Sequence, residues 1–211
     1  YNIGLEIASI PMVKAASIIN QIGFSAFSSL KGDMNKANGY LKKALFSAAL
    51  IIFPVFLGMA SVSNEIILLL IGEKWALAGP VMAIFCWAFP FRMLNMIIQN
   101  YTNGLGYAGF ALKNSLVIAV ILISAISIGA QYGINETALA WITGFILAFS
   151  IVLLRTVSML KTPFKILLCW AIPFLISVGM FLILYFIETM YLINQSLIIS
   201  LIVKMLVGAI Y

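Results

Sequence analysis

Two cations lie in the middle of apolar stretches, and they are the residues best placed to do chemistry. Lys14 sits in a run that starts near Ile3, and Arg92 in one that starts near Pro80. A Lys or Arg at the centre of a membrane helix costs about 2.5–3.5 kcal/mol on insertion scales. Each therefore needs a reason to be there. A cationic cavity near the midplane, receiving an anionic substrate, is one reason. An internal ion pair, for instance of Glu6 with Lys14, is the other. Glu6 lies two helical turns from Lys14, which strains a direct pair along one helix. Polar residues accompany both cations. The first stretch carries Glu6, Ser9, Ser17, Asn20, Gln21, Ser25 and Ser28. The other carries Asn95, Gln99, Asn100, Thr102 and Asn103. At about 100° per residue, each set falls on one broad side of a helix. That side faces other helices or a water-filled cavity, because lipid cannot satisfy it. Small polar residues in bundles also serve interhelical hydrogen bonds, and that role stays open for the Ser and Asn residues.

Other chemistries are poorly supplied. The 211 residues contain no histidine, which removes imidazole acid–base catalysis and the usual zinc and haem ligation. Six acids, mostly between apolar runs, give no catalytic carboxylate pair. Cys86 and Cys169 lie in apolar runs and read as free thiols. Gly104-Leu-Gly106-Tyr-Ala-Gly109 matches G-x-G-x-x-G, but no strand precedes it and no acid follows about 20 residues on. Its glycines suit a tight turn. No metal, cofactor or enzymatic activity is expected.

The elements that position these residues follow from composition. Hydrophobic residues make up 64% of the chain and charged ones 9%, and the mean hydropathy is +1.16. A soluble domain carries about 25% charged residues. The chain therefore needs lipid as its solvent, and nucleic acid is excluded as a partner. Runs of about 20 apolar residues span the hydrocarbon core. Such runs fall at about 3–29, 42–62, 80–103, 111–131, 138–158, 165–187 and 194–211, predicting an all-α, polytopic bundle of about seven transmembrane helices. The run 65–71 is too short to cross and suits the interface, with Trp75 at headgroup depth.

Loop charges test that division. Lys31, Lys36, Lys42, Lys43, Lys113, Arg155, Lys161 and Lys165 flank alternate connections. Glu65, Glu73, Glu136 and Glu188 fall in the others, with Lys74 as the one cation there. The bias toward cytoplasmic Lys and Arg places loops 30–43, 104–113 and 155–165 in the cytoplasm. Pro11, Pro54, Pro90 and Pro173 lie inside spans and are hinge candidates. Lys204 lies in the last span, where snorkelling, packing and function all stay open. Both ends of the chain fall within helix-like runs, so it reads as part of a longer protein.

Several segments resemble a known family. Tyr1-Asn-Ile-Gly-Leu-Glu-Ile-Ala-Ser-Ile-Pro11, Ser17-Ile-Ile-Asn-Gln21 and Phe27-Ser-Ser-Leu30 are similar to the start of the C-terminal lobe of bacterial polysaccharide flippases. Pro54-Val-Phe-Leu-Gly58, Leu69-Leu-Ile-Gly-Glu-Lys-Trp75 and Asn103-Gly-Leu-Gly106 with Ala111-Leu-Lys-Asn114 fit the same pattern. These are the lipopolysaccharide and colanic-acid type members of the multidrug/oligosaccharidyl-lipid/polysaccharide exporter superfamily. The resemblance covers roughly residues 1–116. Glu6 departs from it, standing where relatives often carry a basic residue.

The resemblance implies a fourteen-helix transporter in the bacterial inner membrane. Residues 1–158 would be five helices of its C-terminal lobe, and 159–211 two additional helices. An N-terminal lobe, absent here, would be the partner. Its expected cargo is an undecaprenyl-diphosphate-linked oligosaccharide, flipped by alternating access. Lys14 and Arg92 would then contact the diphosphate, and Asn20, Gln21, Asn95, Gln99, Asn100 and Asn103 the sugar hydroxyls. A cation-coupled multidrug exporter of the same superfamily is the alternative, though it should carry deep acids. A membrane-embedded sugar polymerase would need a long outer loop with catalytic side chains.

Overall fold

A computed structural model describes residues 2–192 and 197–210; a few side chains within this range, including those of Asn20 and Gln21, lie outside the described residues. The described residues are almost all helical. Its α-helices are α1 (Asn2–Ser29), α2 (Met34–Ser61), α3 (Ser63–Leu70), α4 (Ala78–Gly104), α5 (Ala108–Gly129), α6 (Ile134–Leu160), α7 (Phe164–Leu167), α8 (Ala171–Ile187) and α9 (Leu197–Ile210). A single 3-10 turn, Glu73–Trp75, precedes α4, and a π turn, Glu188–Leu192, follows α8. Five helical segments are long and apolar enough to cross a membrane: 34–61, 78–104, 108–129, 135–160 and 164–190. α1 matches them in length at 28 residues but carries the polar series above. α9 is apolar and short, at 14 described residues. The short run after α2 is helical as α3, and Trp75 is exposed beside it.

The helices run longer than the apolar runs. α2 begins at Met34, eight residues ahead of the expected 42. The cause is local. Gly32 takes a positive φ of 102° and turns the chain. Asp33 then caps α2 by accepting the Lys36 amide at 3.0 Å. That bond holds the Asp33 carboxyl below its ordinary value of 3.8. A carboxyl lowered in the folded state stabilises fully above the unfolded value and loses that contribution as pH falls through the lower folded one. Replacing Asp33 by Ala is therefore expected to fray the first turn of α2 at neutral pH, read as faster amide exchange at Lys36. The native protein should fray in the same way only on acidification below about pH 4.

Connections gather by charge. Gly106, between α4 and α5, lies within reach of the Lys31 ammonium, between α1 and α2. Tyr101 Oη donates to Asn38 Oδ1 at 2.7 Å and lies 3.1 Å from Thr162 Oγ1. The three connections flanked by the basic residues thus share one end of the bundle, here called the basic end. The Gly-rich segment serves as a helix stop. The Gly106 amide bonds Asn103 O and the Tyr107 amide bonds Thr102 O, with Gly106 at φ 93°. This is the paired 6→1 and 5→2 pattern that closes a helix through a left-handed glycine.

In lipid no hydrophobic force drives helices together, so close packing and hydrogen bonds must hold them. Glycine permits the closest approaches. A Cβ at Gly4 would meet Ala78 O at 2.8 Å, and one at Gly104 would meet Phe27 Cβ at 2.5 Å, so α1 and α4 run parallel and pack closely at both ends. Gly129 against Ala140 and Gly144 against Ala125 bring α5 and α6 equally close, but antiparallel. Where α2, α4, α6 and α8 converge, Phe53, Phe91, Phe149, Trp170 and Phe174 form one aromatic cluster, with ring centroids 5.1–6.1 Å apart. Pro11, Pro54 and Pro90 lie inside helices, as expected, and Pro173 in the first turn of α8.

Candidate functional site

α4 is the most buried of the membrane-crossing helices, yet one stripe along it stays polar. Arg92, Asn95 and Gln99 recur at i, i+3 and i+7, the spacing of one helix face. That face opens into a cleft of about 400 Å³ between α4, α5 and α6. Ser115 of α5 and Trp141 and Phe145 of α6 complete its walls. Gln99 Nε2 reaches Ser115 Oγ at 3.4 Å. Arg92 is exposed into this space, whereas Asn95 is only 5% exposed. Among the described residues Asn95 Oδ1 has no hydrogen-bond partner. A buried carbonyl left unpaired costs about 1–3 kcal/mol, so this oxygen, on a residue that borders the cleft, calls for a partner that the described residues do not supply.

The other expected site residues scatter. Asn100 is one residue beyond Gln99, hence 100° round the helix. It is buried against α1, where its Nδ2 donates to Ile19 O at 3.3 Å and its side chain packs on Gly23. Asn103 is half-buried, one turn beyond Gln99 on the same stripe. Lys14 is exposed on α1, as are Glu6, Ser25 and Ser28, so the polar side of that helix is largely uncovered. Asn20 and Gln21 lie outside the described side chains. Thr102 bonds back to Gln99 O at 2.9 Å and is buried. Cys86 is buried, and Cys169 is half-buried with its thiol toward Lys42 O at 3.5 Å; both are free. Among the described residues no cluster of His, Cys, Asp and Glu suits a metal ion.

A second polar centre escaped the sequence reading. Lys204 of α9 is 1% exposed and contacts the Glu65 carboxylate of α3 directly. Its ammonium also reaches Glu188 Oε2 at 3.1 Å and Ser61 O at 2.9 Å. Ser200 donates to the same Glu65 oxygen at 2.9 Å. In the sequence Glu65 reads only as a loop charge. Nothing local in the sequence signals the pairing, since 139 residues separate the partners. At the basic end of α5 and α6, Arg155 donates to Asn114 Oδ1 at 2.8 Å and lies over the Phe110 ring. That spends one of the basic residues on packing.

The described residues form a polytopic helical bundle in which one polar stripe of α4 opens into a cleft between helices. The chain superposes on the lipid II flippase MurJ in an inward closed conformation with a TM-score of 0.71 at 19% identity, over 98% of this chain and 45% of MurJ. Its fold is therefore that of part of a MurJ-like transporter. Residues 1–80 match the family model described as polysaccharide biosynthesis protein. The lipopolysaccharide biosynthesis protein WzxC of Escherichia coli (strain K12) is 30% identical over 131 residues, 62% of this chain and 27% of WzxC. The teichuronic acid biosynthesis protein TuaB of Bacillus subtilis (strain 168) is 29% identical over 94 residues, 44% of this chain and 20% of TuaB. The chain is thus related to the bacterial polysaccharide biosynthesis membrane proteins that its motifs resemble, and it is a multi-pass protein of the bacterial inner membrane. The matched segments span about a quarter of these relatives' length.

Proposed function

We propose that this chain is part of a flippase that moves an undecaprenyl-diphosphate-linked oligosaccharide across the inner membrane by alternating access, and that it is not an enzyme. The observation that carries the reading is the cleft in a MurJ-like fold, with Arg92, Asn95 and Gln99 on its α4 wall. A guanidinium offers paired donors that match a phosphate oxyanion. Amides beside it supply both donors and acceptors, as sugar hydroxyls require. Residues 1–158 belong to the C-terminal lobe in this reading, and 159–211 supply two additional helices. Lys14 meets the same anion from α1, and Asn103 extends the amide row toward the basic end. Asn20 and Gln21 are further candidates on the polar side of α1, and the bilayer and the other lobe of the transporter are the remaining partners. Loops 30–43, 104–113 and 155–165 face the cytoplasm. A cation-coupled drug exporter fits less well, because the deep carboxylate of Glu65 is already engaged by Lys204.

Deleting the gene in its own host tests the proposal. Surface polysaccharide should disappear while its lipid-linked precursor accumulates on the cytoplasmic leaflet. Unchanged surface polysaccharide with increased sensitivity to cationic drugs would instead identify a drug exporter.

A further inference from the structure

We propose that the far wall of the Arg92 cleft is a sugar-recognition subsite, in which Trp141 and Phe145 form an aromatic platform and Asn95 supplies the acceptor for a ring hydroxyl. The inference rests on the flippase reading and deepens it.

Three observations converge. Trp141 and Phe145, one turn apart on α6, stack at 5.6 Å with their planes 13° apart. Phe85 and Phe89 press edge-on from α4, at 5.3 and 6.1 Å, and hold the indole in place. Both Trp141 and Phe145 border the cleft. Asn95 borders it too, with its buried Oδ1 unpaired. Gln99 and Ser115 lie on the same walls and are already in contact. Sugar rings present C–H groups on their faces and hydroxyls on their rims. The negative face of an aromatic ring suits the first, and fixed amides and hydroxyls suit the second. About 400 Å³ is the scale of a small-ligand site.

Position favours a sugar over a second phosphate. Among the described residues Arg92 is the one cation lining the cleft. In a diphosphate-linked oligosaccharide the first sugar is bonded to the phosphate itself, so its site must adjoin the cation. Asn95 is one helical turn from Arg92. The unpaired Oδ1 is an acceptor, which a hydroxyl satisfies and a phosphate oxyanion does not.

The test uses the full-length transporter in lipid nanodiscs. Two probes are compared: bare undecaprenyl diphosphate, and the pool of lipid-linked oligosaccharide extracted from the host. The native protein should bind the glycosylated pool more tightly. Trp141→Ala should reduce that preference roughly tenfold, the worth of one or two polar or stacking contacts. It should leave affinity for undecaprenyl diphosphate within about twofold. Trp141→Phe should retain the preference. Asn95→Leu guards against misfolding as an explanation. Removing an unpaired buried carbonyl should leave Tm unchanged or higher, while the sugar preference falls. A preference that survives both W141A and N95L overturns the inference. So does an equal loss for both probes, which marks a purely structural role. Equal binding of the two probes by the native protein overturns the inference alone. Binding of neither overturns the flippase reading beneath it.

Discussion

Arg92→Ala is expected to abolish surface polysaccharide while the protein still accumulates in the membrane. The residue is exposed into the cleft, and no ion pair or hydrogen bond is among its described contacts, so its removal leaves no partner stranded. Folding should survive, since an alanine is easier to insert than a central arginine. What is lost is a charge-assisted contact to the cargo, worth about 1.5–3 kcal/mol. That corresponds to roughly a 10- to 150-fold drop in translocation rate or affinity. Arg92→Lys should fall between the two, because it keeps the charge and loses the planar fork. Quantifying surface polysaccharide alongside immunoblots of the membrane fraction gives the answer. Native export by R92A would remove Arg92 from the substrate path.

Lys204→Ala should act in the opposite way, on the fold and not on the cargo. Glu65 would be left buried with its charge uncompensated, and Glu188 would lose its partner. Breaking a buried pair by removing one member costs about 3–5 kcal/mol. Removing both charges together costs far less, because the desolvation penalty disappears with them. Thermal unfolding of K204A, E65Q and a K204M/E65Q double variant would measure this. The singles should melt well below the native protein, and the double should recover most of the difference. Additive losses in the double variant would mean that the two side chains are not coupled.

The spans were legible because lipid makes two demands that a sequence displays openly: apolar length and biased loop charge. What hydropathy measures is the apolar stretch, not the helix. The helices therefore overrun it wherever a cap such as Asp33 or a glycine such as Gly106 sets the true end. The expected run at 165–187 is divided into α7 and α8 by a turn around Cys169. On the site, Arg92, Asn95 and Gln99 could be read because their relation is the geometry of a single helix. Asn100 shared their broad polar side in the sequence, yet a rotation of one residue sends it to α1. Trp141 and Phe145 could not be read, since their place in the cleft depends on how α6 crosses α4. The same holds for Glu65 and Lys204. Helical periodicity cannot report a contact between helices distant along the chain.

That last pair has a consequence for how the protein is made. A lysine within α9 argues against that helix entering the bilayer alone, at about 2.5–3.5 kcal/mol. Its compensation lies on α3 and at the end of α8, which the ribosome has synthesised earlier. Membrane integration of α9 is thus favoured once the earlier helices that carry Glu65 and Glu188 have assembled. The carboxylate serves as a checkpoint in biogenesis as well as a brace in the finished bundle.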